Sequence, residues 1–383
     1  MNRRALEWGA IAIALAILSV LIFLGVQARD WVLPNGQPVF GDFIAFWGAG
    51  RAALDGAVAQ IHDPHLLQSY QRQALPALDV QAGWNSPPTF LLLATPLSLL
   101  PYPIAALAFL TIGAALYLYA ARKLLPDARA LLFAATLPAA LYHLGSVQTG
   151  LLIAGATGLA LYWLDTRPRA AGAMIALLAI KPHLALLWPF FLALTGRWRV
   201  FAFAALFTLG FVTAAGLVFG FDAYARFLEN LPATQSLVSG QRLATPAYAN
   251  LYANLVDLGA PQTWAIALHA VSALAALALT FTVFRKRDTP AQGAALCATT
   301  LILLPYVFFY DFTLLAVGAA LLGVPRTPLQ ATAAVLAWGA GLSLALAYVA
   351  PLPLAPLAAW LVLLSAAART ENAALRPAPA QHT

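Results

Sequence analysis

The chain has 383 residues, of which 62% are hydrophobic and only 9% are charged. A soluble domain has about 25% charged residues, so this composition excludes an ordinary soluble protein and predicts an integral membrane protein. Apolar runs that recur along the chain need α-helices, because a helix satisfies its own backbone hydrogen bonds in lipid. The net charge of +7 comes mostly from Lys and Arg in short loops, which indicates topology signals and not nucleic-acid binding.

The first apolar run predicts an uncleaved membrane helix over residues 8–26, preceded by Arg3 and Arg4. The positive charges place the N-terminus in the cytoplasm and residue 27 outside, as expected for a multi-pass protein of a bacterial inner membrane. A single cysteine, Cys297, excludes an internal disulfide.

The longest polar segment, residues 27–86, is predicted to be the first outer loop. Two short helices are expected inside it, over 43–54 and over 64–75. Asp63 is a suitable N-cap for the second helix, and Pro64 suits its first position. Both helices are too short and too polar to span a membrane, so we expect them to lie in the lipid interface.

The remaining apolar runs predict the rest of an all-α, polytopic transmembrane bundle that forms one domain over residues 1–383. The predicted spans are 91–100, 104–121, 128–142, 151–164, 170–180, 184–194, 200–219, 263–284, 291–309, 312–322, 329–349 and 352–367. Pro101 and Pro103 leave open whether 87–121 crosses once or twice. We expect a second outer loop over 220–262 and a disordered tail over 370–383.

Charge predicts where the chain turns between spans. Arg167 and Arg199 read as cytoplasmic, and the break Lys181-Pro182-His183 lies between them. A single crossing would bury Lys181 in the middle of the membrane, which is costly. Two short helices that meet on the outer side avoid this cost. The same argument places residues 145–150 outside.

Asp42 is the leading candidate for chemistry, because it lies at the membrane surface directly before an aromatic-rich stretch. It is a candidate general base that would deprotonate an acceptor hydroxyl, especially if apolar surroundings raise its pKa. The alternative is that Asp42 only caps the helix at Phe43. The two roles are compatible.

Three basic or titratable residues are candidates for contacts with a phosphate group. Lys181 is the first, with a structural ion pair as the alternative. Arg51 is the second, with a solvated charge among lipid headgroups as the alternative. His183 is the third, and alone it is more typical of a hydrogen-bonded packing residue.

Gln148, Asp311 and Asp63 are further candidate substrate-binding residues on the same predicted side. Gln148 is either a local cap or a site residue, and Asp311 either serves the site or pairs with Lys181. The run His62-Asp63-Pro64-His65 has weak metal-like spacing with no further ligands, so no metal is predicted. Nucleotide-binding motifs are also missing from the sequence, and no cofactor is expected.

The sequence carries a series of short motifs in a definite order. They are Gly41-Asp42-Phe43, Ala49-Gly50-Arg51, Leu54-Asp55-Gly56, Ile61-His62-Asp63-Pro64, Trp84-Asn85-Ser86-Pro87-Pro88, Pro96-Leu97, Leu100-Pro101, Gly145 with Gln148, Lys181-Pro182, Arg197-Trp198-Arg199, and Pro305-Tyr306 with Tyr310-Asp311. Over residues 40–315 the series resembles family 87 glycosyltransferases, membrane mannosyltransferase-like proteins of the GT-C superfamily. It departs from them at Asn85-Ser86, where a tyrosine often precedes the prolines, and at His62-Asp63, where Tyr-Asp is usual.

The resemblance implies a polyprenyl-phosphate sugar donor, often of mannose, and inverting transfer to a lipid or glycan acceptor on the outer face. It also implies a catalytic aspartate early in the first outer loop, which corresponds to Asp42. Lys181 or Arg51 would neutralise the leaving phosphate without a metal. A transporter or lipid flippase is the alternative, although no clear two-fold repeat is present. A structural or assembly protein is a third interpretation, and it predicts that the polar groups do not converge.

Overall fold

The computed structural model describes residues 3–125, 127–240, 249–347 and 353–369. Within these ranges the chain forms helices, with two isolated β-bridges among residues 29–38. The first helices are α1 (Arg3–Gln27), α2 (Phe43–Leu54), α3 (Pro64–Ala74), α4 (Pro88–Leu97), α5 (Tyr102–Leu124), α6 (Ala128–Ala135), α7 (Pro138–Leu141), α8 (His143–Ser146), α9 (Gly150–Trp163) and α10 (Pro168–Leu177). The others are α11 (Trp188–Leu194), α12 (Trp198–Phe219), α13 (Asp222–Gly240), α14 (Leu251–Asp257), α15 (Gln262–Phe284), α16 (Thr289–Leu303), α17 (Thr313–Leu322), α18 (Pro328–Gly339), α19 (Ser343–Ala347) and α20 (Leu354–Ala368). The prediction of an all-α polytopic bundle is confirmed.

Four predicted segments fall partly or wholly outside these ranges. The predicted disordered tail, 370–383, is not among the described residues, and neither are residues 241–248 of the predicted second outer loop. The same holds for residues 348–349 of the predicted span 329–349 and for residue 352 of the predicted span 352–367.

The two helices of the predicted first outer loop begin where the sequence predicts them. Asp63 caps α3, since its carboxylate accepts hydrogen bonds from the backbone N–H groups of His65 and Leu66 at 2.8 and 3.1 Å. Helix α3 has one buried and one exposed face, whereas α2 is buried on most of its circumference. The reason is that apolar residues surround α2 on all sides, so α3 and α4 cover it rather than lipid.

Within 87–121 the structure has one helix of membrane-spanning length. This is α5, with 23 residues, while α4 has 10 residues and packs against α2. The indole N–H of Trp47 donates to the carbonyl of Leu100 at 2.9 Å and fixes the turn between α4 and α5. Gly50 allows the close approach of α2 and α4, because a Cβ there would clash with the backbone of Ala94.

The bundle has long helices at its periphery and shorter, more buried helices at its centre. Five helices are long and apolar enough to cross a membrane: Arg4–Gln27, Tyr102–Leu124, Trp198–Phe219, Gln262–Phe284 and Pro328–Leu346. Only 11–39% of each is buried by protein, as expected for helices that face lipid. The shorter α9 and α16 have twelve of fourteen and twelve of fifteen residues buried. At 1.5 Å per residue these central helices are about 21 and 22 Å long, shorter than a hydrocarbon core of about 30 Å.

The segment around Lys181 folds back on itself between α10 and α11. Asp165, which follows α9, forms an ion pair of 2.9 Å with Arg197, which precedes α12. Lys181 lies midway between them in sequence and contacts Asp311, beyond the far end of α16. Arg197 also donates to Thr289 at the start of α16, so the bonded partners of Arg197 and of Lys181 lie at opposite ends of that helix.

The last described helix, α20, closes the bundle. It packs against α16 and α18 through small residues, including Ala355, Ala358 and Ala359, all of which are buried. Its carboxyl end is held by two cations, since Lys286 donates to the Ala367 carbonyl at 2.5 Å and Arg369 pairs with Asp288 at 2.9 Å.

Candidate active site

The carboxylate of Asp42 does not cap the helix that it precedes. Asp42 has α-helical backbone angles and makes no side-chain hydrogen bond to α2. Its Oδ2 instead accepts a hydrogen bond of 3.0 Å from the amide nitrogen of Gln148, and its backbone N–H donates to the Ser146 carbonyl at 3.1 Å. Of the two roles that the sequence left open, the capping bond is therefore not made. The carboxylate is directed toward another part of the bundle.

A strained loop holds Gln148 in place. Val147 is buried and has φ of +45°, a region that β-branched residues rarely adopt and that costs about 1–3 kcal/mol. The Oε1 atom of Gln148 accepts from the Thr149 N–H at 3.0 Å, which directs its NH₂ group toward Asp42. The amide is thus oriented at both of its ends.

The buried side chain of His143 holds the same loop in place through two hydrogen bonds. Its Nε2 accepts from the Leu151 N–H at 3.2 Å, so Nδ1 carries the proton and donates to the Ala139 carbonyl at 2.9 Å. His143 was not among the predicted site residues, although a polar residue inside an apolar run was a signal that could have found it.

A second site with charged side chains lies where the chain folds back between α10 and α11. The ammonium of Lys181 contacts Oδ1 of Asp311 at 2.5 Å, and the other oxygen of Asp311 accepts from the Phe308 N–H at 3.2 Å. The Asp311 side chain is 2% exposed and that of Lys181 is 14% exposed. Lys181 also lies over the ring of Tyr310, 5.0 Å from its centre. The predicted alternative of an ion pair is therefore formed.

His183 lies close to this pair, packed against an aromatic ring. Its imidazole centre is 5.2 Å from that of Tyr306, and both side chains are partly exposed. In the sequence Tyr306 appears only as part of a motif, and its contact with His183 could not be predicted because the two residues are far apart in the chain.

Asp42 and Lys181 lie close enough for their charges to interact. Surrounding protein displaces water from Asp42 and raises the pKa of its carboxyl, while the Gln148 hydrogen bond and the charge of Lys181 act to lower it. Asp42 is nevertheless exposed at the protein surface. We call the region around Asp42, Gln148, Lys181 and Asp311 the recess. Protein atoms surround the Asp42 carboxylate there, yet the side chain is still accessible to a small molecule.

Comparison with known families identifies the chain. The model of glycosyltransferase family 87 matches residues 84–305, more than half of the sequence. This protein belongs to glycosyltransferase family 87. No curated protein and no solved structure matches it.

The matched range of this family 87 glycosyltransferase includes Gln148, Lys181 and His183. Asp42 and Asp311 lie outside that range, and the folded chain brings them to the matched residues. Family membership and the five span-length helices together show a membrane glycosyltransferase.

Two predicted site residues of the glycosyltransferase lie apart from this group. Asp63 is engaged as the N-cap of α3. Arg51 lies in the last turn of α2, about 13 Å along the helix from Asp42, in the neighbourhood of Asp55 and Tyr70. Among the described residues neither shares a hydrogen bond or ion pair with Asp42, Gln148 or Lys181. Their roles in substrate binding stay predictions.

A separate polar cluster surrounds Arg197 at the other end of the bundle. Its guanidinium donates to Asp165, to Thr289 at 2.7 Å and to Gln292 at 2.9 Å. These bonds tie the ends of α9, α12 and α16 together. In the sequence Arg197 appears only within the motif Arg197-Trp198-Arg199, and these bonds could not be predicted because its partners are distant in the chain.

Proposed function

We propose that this glycosyltransferase is a GT-C-type enzyme that transfers a hexose, such as mannose, from a polyprenyl-phosphate carrier to an acceptor on the outer face of the membrane. The observation that carries the proposal is the recess in which an uncapped Asp42 carboxylate shares one environment with Lys181. Membership of a glycosyltransferase family favours this function over a transporter or lipid flippase.

In the proposed reaction an acceptor hydroxyl attacks the anomeric carbon of the sugar from the side opposite the phosphate. Asp42 takes the hydroxyl proton, and the raised pKa of its carboxyl makes it a better base than an ordinary carboxylate. The bond between the anomeric carbon and the phosphate oxygen breaks, and its electron pair leaves with polyprenyl phosphate. Attack from the opposite side inverts the anomeric configuration.

The leaving phosphate gains one negative charge in this step, and a cation beside it lowers the barrier. Lys181 is the proposed partner, with His183 and Tyr306 beside it. Asp311 holds Lys181 in place before the donor arrives. Because Lys181 and Gln148 adjoin central helices shorter than a hydrocarbon core, the phosphate could reach Lys181 while its polyprenyl tail stays in the bilayer.

The orientation is also part of the proposal. Arg122, Lys123, Arg167 and the run Arg285-Lys286-Arg287 lie at helix ends away from Asp42. The positive-inside rule then places those ends in the cytoplasm and the recess on the outer side.

Asp42→Asn tests the catalytic role. Asparagine keeps a similar shape but cannot take a proton at neutral pH, so transfer should fall by about two to four orders of magnitude while the protein still folds. The measurement is transfer from radiolabelled polyprenyl-phosphate mannose and glucose by purified protein.

Asp79→Asn is the matched control, because Asp79 is an exposed carboxylate of the same loop whose side chain forms no hydrogen bond or ion pair within the described part of the chain. Its transfer rate should stay near that of the wild type. Equal activity of the Asp42 and Asp79 variants would refute the assignment of the base.

A further inference from the structure

A basic groove lies at the end of the bundle opposite Asp42. Three arginines line it, Arg167 and Arg169 beside the start of α10 and Arg199 at the start of α12, together with Phe203. The groove has a volume of about 610 Å³ and is open at the protein surface. Pockets that hold small molecules in proteins fall within roughly 300–1,000 Å³, so the groove has room for a polar headgroup.

The arginines of the groove are not neutralised by protein. Among the described residues none of the three forms an ion pair, whereas neighbouring Arg197 is fully bonded. Asp165, the adjacent carboxylate, is taken by Arg197 and by the hydroxyl of Thr289. The groove is therefore a concentration of positive charge with no internal counterion.

The helix dipoles of α10 and α12 add to the positive charge of the groove. The three arginines lie at the amino-terminal ends of α10 and α12, where the helix dipole is already positive and where cations are disfavoured. A topology signal requires arginines on this side of the membrane, but not three of them around one cavity. An anion in the groove would relieve the repulsion.

The groove continues into an apolar, lipid-facing surface. Arg169 lies over the ring of Phe203 at 5.5 Å, and Phe203 stacks on Phe207 with ring centres 6.0 Å apart. Leu206 and Leu209, further along α12, are 60% and 64% exposed. Trp198 at the helix start is 61% exposed, in a position typical of the membrane–water interface.

We propose that this groove binds the phosphate of an anionic phospholipid from the leaflet at that end of the bundle. The phosphate lies among Arg167, Arg169 and Arg199, and an acyl chain lies along Phe203 and Leu206. Phosphate chemistry explains the arginines, and the adjoining apolar surface selects a lipid over a free anion. The site is distinct from the recess around Asp42 and does not depend on the sugar donor.

Native mass spectrometry of the full-length protein tests the proposal. Phosphatidylglycerol and phosphatidylcholine with identical acyl chains are added in turn, and bound lipid is counted. Wild type should retain phosphatidylglycerol in preference. The double variant Arg167→Gln/Arg169→Gln should retain it about 25-fold less, because each arginine that contacts the lipid phosphate contributes roughly a 5-fold preference. Arg199→Gln alone, on the other helix, should give a smaller loss.

The matched control is Arg285→Gln/Arg287→Gln. Both residues are exposed, they lie outside the groove, and Arg285 also packs over an aromatic ring, that of Phe281 at 5.7 Å. Its retention of phosphatidylglycerol should stay within about 2-fold of wild type, and melting temperatures in phosphatidylcholine should show that all variants fold. Equal losses in the two double variants would mean that surface charge alone attracts the lipid. Displacement of the lipid by millimolar inorganic phosphate would mean a free-anion site, and either result overturns the proposal.

Discussion

The hydrogen bond that Gln148 donates to Asp42 affects the ionisation of the Asp42 carboxyl group. Burial among protein atoms favours the protonated carboxyl, and the Gln148 amide favours the carboxylate to which it donates. Neither effect operates alone. In the proposed reaction Gln148 is thus a positioning residue that favours the ionised form of the Asp42 carboxylate, and it directly follows Val147, whose backbone is strained.

This balance predicts the pH dependence of transfer. The base must be ionised, so the rate should fall as the pH falls through the raised pKa of Asp42. Gln148→Leu removes the donor that lowers this pKa, and the acidic limb of the kcat/KM profile should move to higher pH. Gln148→Glu places a like charge beside Asp42 and should move the limb further in the same direction. An unchanged limb in both variants would show that Gln148 does not tune the base.

At the scale of elements, the Lys181–Asp311 pair joins two segments that share no secondary structure. Lys181 lies at the tip between α10 and α11, and Asp311 lies in the turn between α16 and α17. The nearly complete burial of Asp311 makes an unpaired carboxylate there costly. This ion pair and the contact between His183 and Tyr306 therefore hold the two segments together.

Lys181→Met and Asp311→Asn separate a binding role from a purely structural one. If Lys181 neutralises the donor phosphate, Lys181→Met should weaken donor binding by about 10-fold or more, and the double variant should not restore it. If the pair is only structural, each single variant lowers the melting temperature and the double variant recovers it, through a coupling of about 0.5–3 kcal/mol. Melting temperature and donor affinity are measured for all three variants. Normal donor affinity in Lys181→Met would exclude the phosphate role.

Local signals predicted some of these elements, and distant contacts determined the rest. Asp63 followed by Pro64 specifies the start of α3 within a few residues, so the sequence predicts that helix and its cap. The charges at Arg167 and Arg199 likewise predict the turn at Lys181. By contrast, Asp42 and Gln148 are 106 residues apart, and nothing local to Asp42 shows that its carboxylate leaves the helix uncapped.

At the scale of the molecule, helices of unequal length create the recess. The five long helices match the thickness of a bilayer, whereas the central helices α9 and α16 are shorter than its hydrocarbon core. In the proposed arrangement, polar groups at the ends of these short helices are at membrane depth but face the recess instead of lipid. The cost of placing Lys181 and Asp311 in a membrane protein is reduced in this way.

The proposed orientation predicts which positions react with reagents outside the cell. In a Cys297→Ala background, Ala59→Cys in the first loop should react with a membrane-impermeant maleimide in intact cells. Thr166→Cys, an exposed position at the Arg197 end, should react only after permeabilisation. The two sites lie at opposite ends of the bundle, so their labelling must be reciprocal. Reaction of Thr166→Cys in intact cells would invert the topology and place the recess in the cytoplasm.

The way α20 closes the bundle has a consequence for biosynthesis. Helix α16 is buried on nearly all sides, and part of that cover is supplied by α20. During translation α16 enters the membrane before α17, α18, α19 and α20 exist. Until these helices are inserted, the alanine-rich surface of α16 is in contact with lipids or with a membrane chaperone. The Asp288–Arg369 and Lys286–Ala367 contacts can form only after α20 has been inserted. The ribosome has therefore delivered every element of the recess before the helix that consolidates its core is in place.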